Sequence, residues 1–191
     1  MRGKFFRVTD CFALFQLPRS PVLGSDAIKA AHRRGMSTAH PDKPDSTADA
    51  ALSLNEARRI LSDPALRLRH LLELEGLEIP EPLPAHTDWQ MAERVGRVLE
   101  DARVLTPATP SDSGLLKAVK RNTAAKLEVE IQRLEKVLMH SLNAELEAAS
   151  VMPRHMPLCS LSAVVFFQKQ LRLLDSARCQ MREKSRVDGP L

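Results

Sequence analysis

The chain has 191 residues and a mass of 21.3 kDa; with 43% hydrophobic and 27% charged residues it can bury one good core or two small ones, which excludes a disordered tail. Aromatic residues make up only 4%, while alanine, leucine, glutamate and arginine recur, so a sheet-rich fold is disfavoured and an all-α fold is expected. The net charge of +4 would suit a nucleic-acid partner, but no finger, helix-turn-helix or basic-aromatic module accompanies it, and none is expected.

Four helices are expected before Gly76. A short one covers about Cys11 to Leu17, with Phe12 and Phe15 one turn apart and Pro18 as its stop. A second runs from Ser25, read as an N-cap, to about Ala39, with Ile28, Ala31, His32, Gly35, Met36 and Ala39 on one side. The third spans about Thr47 to Ser62, aligns Leu54, Ala57 and Leu61, and ends at Asp63-Pro64. The fourth begins at Pro64, turns Leu68, Leu71 and Leu72 inward, and stops at Gly76.

Pro80, Pro82 and Pro84 follow as a linker, since proline removes a backbone donor and disfavours helix in the residue before it. Three longer helices are expected beyond it. About Thr87 to Leu105 aligns Met91, Val95, Val98 and Ala102; about Gly114 to Ala149 aligns Leu127, Ile131, Leu134, Leu138, Leu142 and Leu146. About Ser160 to Arg186 aligns Val164, Phe167, Leu171, Leu174 and Met181, although Val164 to Phe167 in isolation would also read as a strand. Short connections between amphipathic helices imply an antiparallel three-helix bundle.

Cys11, Cys159 and Cys179 are far apart with no Cys-x-x-Cys, so neither a zinc site nor a disulfide framework is encoded, which fits a reducing, cytoplasmic setting. His70, His86, His140 and His155 show no metal spacing, and His32 reads as a packed residue. No metal or cofactor is expected. The longest apolar runs, such as Ala163 to Phe167, fall far short of the roughly 18 residues that cross a bilayer, so no membrane partner is expected either. There is no phosphate loop, no Gly-x-Ser-x-Gly and no Cys/His pair at meaningful spacing, so the chain is not expected to be an enzyme.

The sharpest local feature is His40-Pro41-Asp42-Lys43, where the second helix stops. Pro41 stiffens the turn, so the imidazole of His40 and the carboxylate of Asp42 project as a docking element. Asp10-Cys-Phe-Ala-Leu-Phe-Gln-Leu-Pro18 precedes it by one helix, and Leu54-Asn-Glu-Ala-Arg-Arg-Ile-Leu-Ser-Asp-Pro64 follows it. This order resembles the J domain, the helical hairpin module that stimulates ATP hydrolysis by DnaK-type chaperones. The resemblance implies that His40, Pro41, Asp42 and Lys43 engage the ATPase partner, with Lys29, Arg33 and Arg34 as the basic face. Residues 1–40 hold seven basic and two acidic residues, which would steer the domain toward an acidic chaperone surface.

Asp63-Pro-Ala-Leu-Arg-Leu-Arg-His-Leu-Leu-Glu-Leu-Glu-Gly76 further resembles the fourth helix of HscB, the J-domain co-chaperone of iron-sulfur cluster assembly. Leu171-Arg-Leu-Leu-Asp175 is similar to an HscB stretch whose third residue, Leu173 here, belongs to the face that binds the cluster scaffold protein. Trp89-Gln-Met-Ala-Glu-Arg-Val95 occupies the place of the other half, with Met91 and Val95 as candidates. The resemblance implies a J domain at 8–76, a Pro-rich linker at 77–86 and a client-binding three-helix domain at 87–187. The implied partners are an HscA/DnaK-type ATPase chaperone and the iron-sulfur cluster scaffold protein. Two alternatives stand beside it: a general J-domain co-chaperone with another client, and a helical interaction protein with a degenerate J domain.

Two departures bear on packing. Gly35 stands where the family usually places a core leucine, and Ala39 where an aromatic is expected. Glycine within a helix costs about 1 kcal/mol, so a loosely packed hairpin, with Met36 filling part of the gap, is expected.

Overall fold

The computed structural model describes residues 9–38, 48–151 and 157–186, and all regular elements among them are helices. They are α1 (Cys11–Phe15), α2 (Ser25–Thr38), α3 (Ala48–Ser62), α4 (Pro64–Leu74), α5 (Trp89–Val104), α6 (Gly114–Val151) and α7 (Pro157–Arg186). They fall into two compact units, Met1–Pro84 with Ala144–Val164, and Ala85–Asn143 with Val165–Leu191. The boundary after Pro84 lies in the expected linker, whereas residues 144–164 group with the N-terminal unit.

In the N-terminal unit, Asp10 caps α1 by accepting from the backbone N–H groups of Phe12 and Ala13 at 2.9 and 3.1 Å. The helix ends before Pro18 is reached. Gln16 takes a left-handed backbone (φ 54°), and the Leu17 N–H donates back to the Phe12 carbonyl at 2.9 Å. At the end of α4 the stop is the expected one: Gly76 has φ +75°, and the Leu77 N–H donates to the Leu72 carbonyl.

The core of this unit joins Phe12 and Phe15 to Ile28 and Ala31 of α2 and to Leu54, Ala57 and Leu61 of α3. Gly35 leaves no gap in it. A Cβ built there would lie 2.6 Å from Cδ2 of Leu54, which is itself buried, so the space expected for a side chain on α2 is filled from α3. Met36 packs at the edge of the same core. The expectation of a loosely packed hairpin at Gly35 is therefore corrected; Ala39 lies outside the described residues.

Two buried polar side chains on α4 complete the unit. Arg67 donates from Nε to the Pro21 carbonyl at 2.9 Å and from Nη1 to the Leu61 carbonyl at 2.6 Å, tying α4 to the α1–α2 loop and to the end of α3. His70 accepts the Cys11 N–H on Nε2 at 3.2 Å and stacks on Phe12. That bond satisfies one of the donors a helix start leaves open. Burial holds the His70 imidazole below its ordinary pKa of 6.5 and pushes the Cys11 thiol up to about 11.

In the C-terminal unit the apolar stripes behave as their spacing dictates. Met91, Val95, Val98 and Ala102 of α5 are buried, as are Leu127, Ile131, Leu134, Leu138 and Leu142 of α6 and Phe167, Leu174, Ala177 and Met181 of α7. Helix α7 starts at Pro157 rather than Ser160, and Val164 to Phe167 is helical. Leu171 is half-buried, and Gln170 takes a buried place instead. Polar groups fix the seams. Arg178 donates to Glu128 at 3.1 Å and to both carboxylate oxygens of Glu135 at 2.6 and 2.8 Å. Lys184 donates to the carbonyls of Ala102, Arg103 and Leu105, the negative end of α5.

Candidate functional site

The expected chaperone-facing surface is carried by α2. Helices α2 and α3 pair antiparallel, and two rungs set their register. Gly35 meets Leu54, and His32 Nε2 lies 3.0 Å from Asn55 Oδ1. One turn further along each helix, in opposite directions, this register sets Lys29 opposite Arg58. His32 also leans on the Phe15 ring, which makes it the packed residue expected.

Lys29, Arg33 and Arg34 are all exposed, as a basic docking face requires. Lys29 and Arg33 share a cleft of about 390 Å³ with Asp26, His32 and Arg58. Arg34 does not line it. Asp26 is its one acid and stands 3.5 Å from Lys29. Arg58 was not legible as part of this surface from α2 alone; the signal that finds it is the α2–α3 register. His40, Pro41, Asp42 and Lys43 lie outside the described residues.

The candidate client face divides differently. Met91 and Val95 are only 7% and 0% exposed, so the stripe they belong to is spent on packing the bundle. Their place as contact residues rests on the family resemblance alone. Leu173 is half-buried. Seven residues separate it from Phe166, which packs on His86, and eleven from Lys184, which binds the end of α5. Those intervals are close to two and three helical turns, so Leu173 shares the flank of α7 that faces α5. Counting back eleven residues along both helices sets Leu173 level with residues 91–94.

Accessible residues near that level on α5 are Glu93 and Gly96, and Ala92 is half-buried. Trp89, at the first position of α5, is 78% exposed. A tryptophan so open to water is a strong candidate anchor for a partner. In the sequence it opens the segment that stands for the other half of the client face without being singled out, although its being the one tryptophan of the chain was a usable signal.

Among the described residues no group of three or more His, Cys, Asp or Glu side chains could hold a metal, and no helix is long and apolar enough to cross a membrane.

No family model matches the chain. It is 32% identical over 135 residues to the co-chaperone protein HscB homolog of Chromobacterium violaceum, covering 64% of this chain and 76% of that relative. It is 35% identical over 108 residues to the HscB homolog of Bordetella avium, covering 49% and 62%. Among solved structures, chaperone HscB from Vibrio cholerae aligns with 90% of this chain and 98% of its own at a TM-score of 0.57 and 18% identity, a likeness of fold.

Proposed function

This chain belongs to the HscB co-chaperone family, and from that premise we propose that it stimulates the ATPase of an HscA/DnaK-type chaperone and delivers the iron-sulfur cluster scaffold protein to it in the cytoplasm. In this reading the J domain spans 8–76, and its His40-Pro41-Asp42-Lys43 turn and the cations Lys29, Arg33 and Arg34 engage the ATPase. Hydrolysis stays with the partner. The domain at 87–187 takes the scaffold on the α5–α7 seam around Leu173, with Trp89 as a second anchor and Met91 and Val95 supporting it from beneath. The observation that carries the reading is the α2–α3 pairing, which leaves Lys29, Arg33 and Arg34 exposed on α2.

The test is a steady-state ATPase assay with purified chaperone, with and without scaffold. Wild type is expected to raise the rate and His40→Gln to abolish the rise, a loss of about tenfold or more. Scaffold is expected to raise the rate further, an increment that Trp89→Ala with Leu173→Asp removes while the effect of the J domain persists. Equal stimulation by His40→Gln sinks the loop assignment. A wild type indifferent to scaffold favours the second reading, a general J-domain co-chaperone with another client, which the burial of Met91 and Val95 keeps in view.

A further inference from the structure

Four groups that can be cationic, Lys29, His32 and Arg33 of α2 and Arg58 of α3, line the cleft described above, and Asp26 is the one acid facing them. Asp26 is almost wholly solvated and sits 3.5 Å from Lys29, so it screens that lysine weakly. His32 is tied to Asn55. Among the described residues, neither Arg33 nor Arg58 is hydrogen-bonded or ion-paired to a carboxylate. Elsewhere on this unit arginines do find acids: Arg59 pairs with Glu56 on α3, Arg69 with Glu73 on α4, and Arg19 with Asp10. Arg33 and Arg58 thus differ from those three in having no carboxylate partner among the described residues.

Like charges gathered in a concavity repel one another and raise the local potential, which favours an incoming anion. Two guanidinium groups offer planar, forked donors that match a carboxylate better than a single lysine does. The walls come from two helices held in fixed register, so the backbone sites that carry the donors are set before any partner arrives.

Resting on the co-chaperone reading above, we infer that Arg58 joins Lys29 and Arg33 in a two-helix clamp for an acidic side chain on the ATPase partner, so that the docking surface extends from α2 onto α3. The clamp sets affinity and approach, while the His40-Pro41-Asp42-Lys43 segment sets the response. Arg58 is a specificity-determining residue for docking and takes no part in hydrolysis.

The experiment titrates the purified full-length protein against the ATPase chaperone at low and at physiological salt and reads the half-saturating concentration. Arg58→Gln is expected to raise it about fivefold at low salt, with full stimulation at saturation, and to flatten its salt dependence. Arg58→Glu is expected to raise it at least about tenfold, and Arg58→Lys to return it to within about twofold of wild type. Arg33→Gln combined with Arg58→Gln is expected to fall short of the product of the single effects, because both act on one carboxylate. Wild-type behaviour of Arg58→Gln and Arg58→Glu, alongside a shift in Arg33→Gln, overturns the clamp and leaves the co-chaperone reading standing. Failure of the wild type to stimulate at all overturns that reading and the clamp with it. Since Arg58 is exposed, an unchanged melting curve for each variant assigns the shifts to docking.

Discussion

The α2–α3 pair and the α5–α6–α7 bundle solve helix packing in different ways. In the first, a glycine admits a leucine, Leu54 against Gly35, and two buried polar side chains on α4 reach distant backbone to close the unit. In the second, long aliphatic stripes fill the interior, and charged groups such as Arg178 work at the edge with carboxylates. Small residues at a helix contact leave the outer faces to be decorated freely, and there the chain gathers its cations. Large residues at a contact consume the stripe, and what remains for a partner is the seam, not the stripe.

The most severe test of that contrast is Arg67→Met. It removes the donors to the Pro21 and Leu61 carbonyls and leaves both without a partner in the interior, at a cost of about 3 kcal/mol in chemical unfolding. A variant within about 0.5 kcal/mol of wild type would show that the N-terminal unit does not depend on its polar staple. Next comes Gly35→Leu. By family analogy it restores a core leucine, but here the new side chain collides with Leu54, and a loss of about 2 kcal/mol is expected. Pairing it with Leu54→Ala should recover most of the loss, and a stabilised single variant would mean that the two helices part easily.

The smallest expected effect is a pH slope. The folded His70 imidazole has a pKa below 6.5 because burial disfavours its charged form, and its Nε2 is committed as an acceptor from Cys11. Below pH 6.5 the unfolded chain therefore takes up a proton that the folded chain refuses. The contribution of His70 is complete above 6.5 and declines as the pH falls beneath it. Unfolding free energies between pH 8 and 5 should show this decline in wild type and a shallower one in His70→Gln. Identical slopes would remove His70 from the account.

Much of the helical layout was legible because apolar residues recur at helical intervals. The α6 series from Leu127 to Leu146 is buried throughout, and α3 ends at Ser62 as Asp63-Pro64 demands. What was hidden depends on partners distant in sequence. Arg67 meets a carbonyl 46 residues away, and His70 an N–H 59 residues away, so nothing local marks either as interior. The end of α1 was misplaced because a glutamine in the left-handed region is an uncommon stop. The cations on α2 are exposed, and Arg58 joins them only when α2 and α3 are set side by side. Met91 and Val95 lie on the apolar stripe that the periodicity of α5 marks, and both are buried, because such a stripe marks a packed face before it marks a binding one.

Arg178 has a consequence for how a partner must approach. Its guanidinium grips Glu128 and Glu135, two turns apart on α6, and a slide of α7 by one turn, about 5.4 Å, would release the two-pronged hold on Glu135. The seam therefore has one seat, like a bolt dropped through two plates. Leu173 stands only five residues before that bolt, so its height on the bundle is set before anything binds, and it is the visitor, not the host, that must adjust its shape.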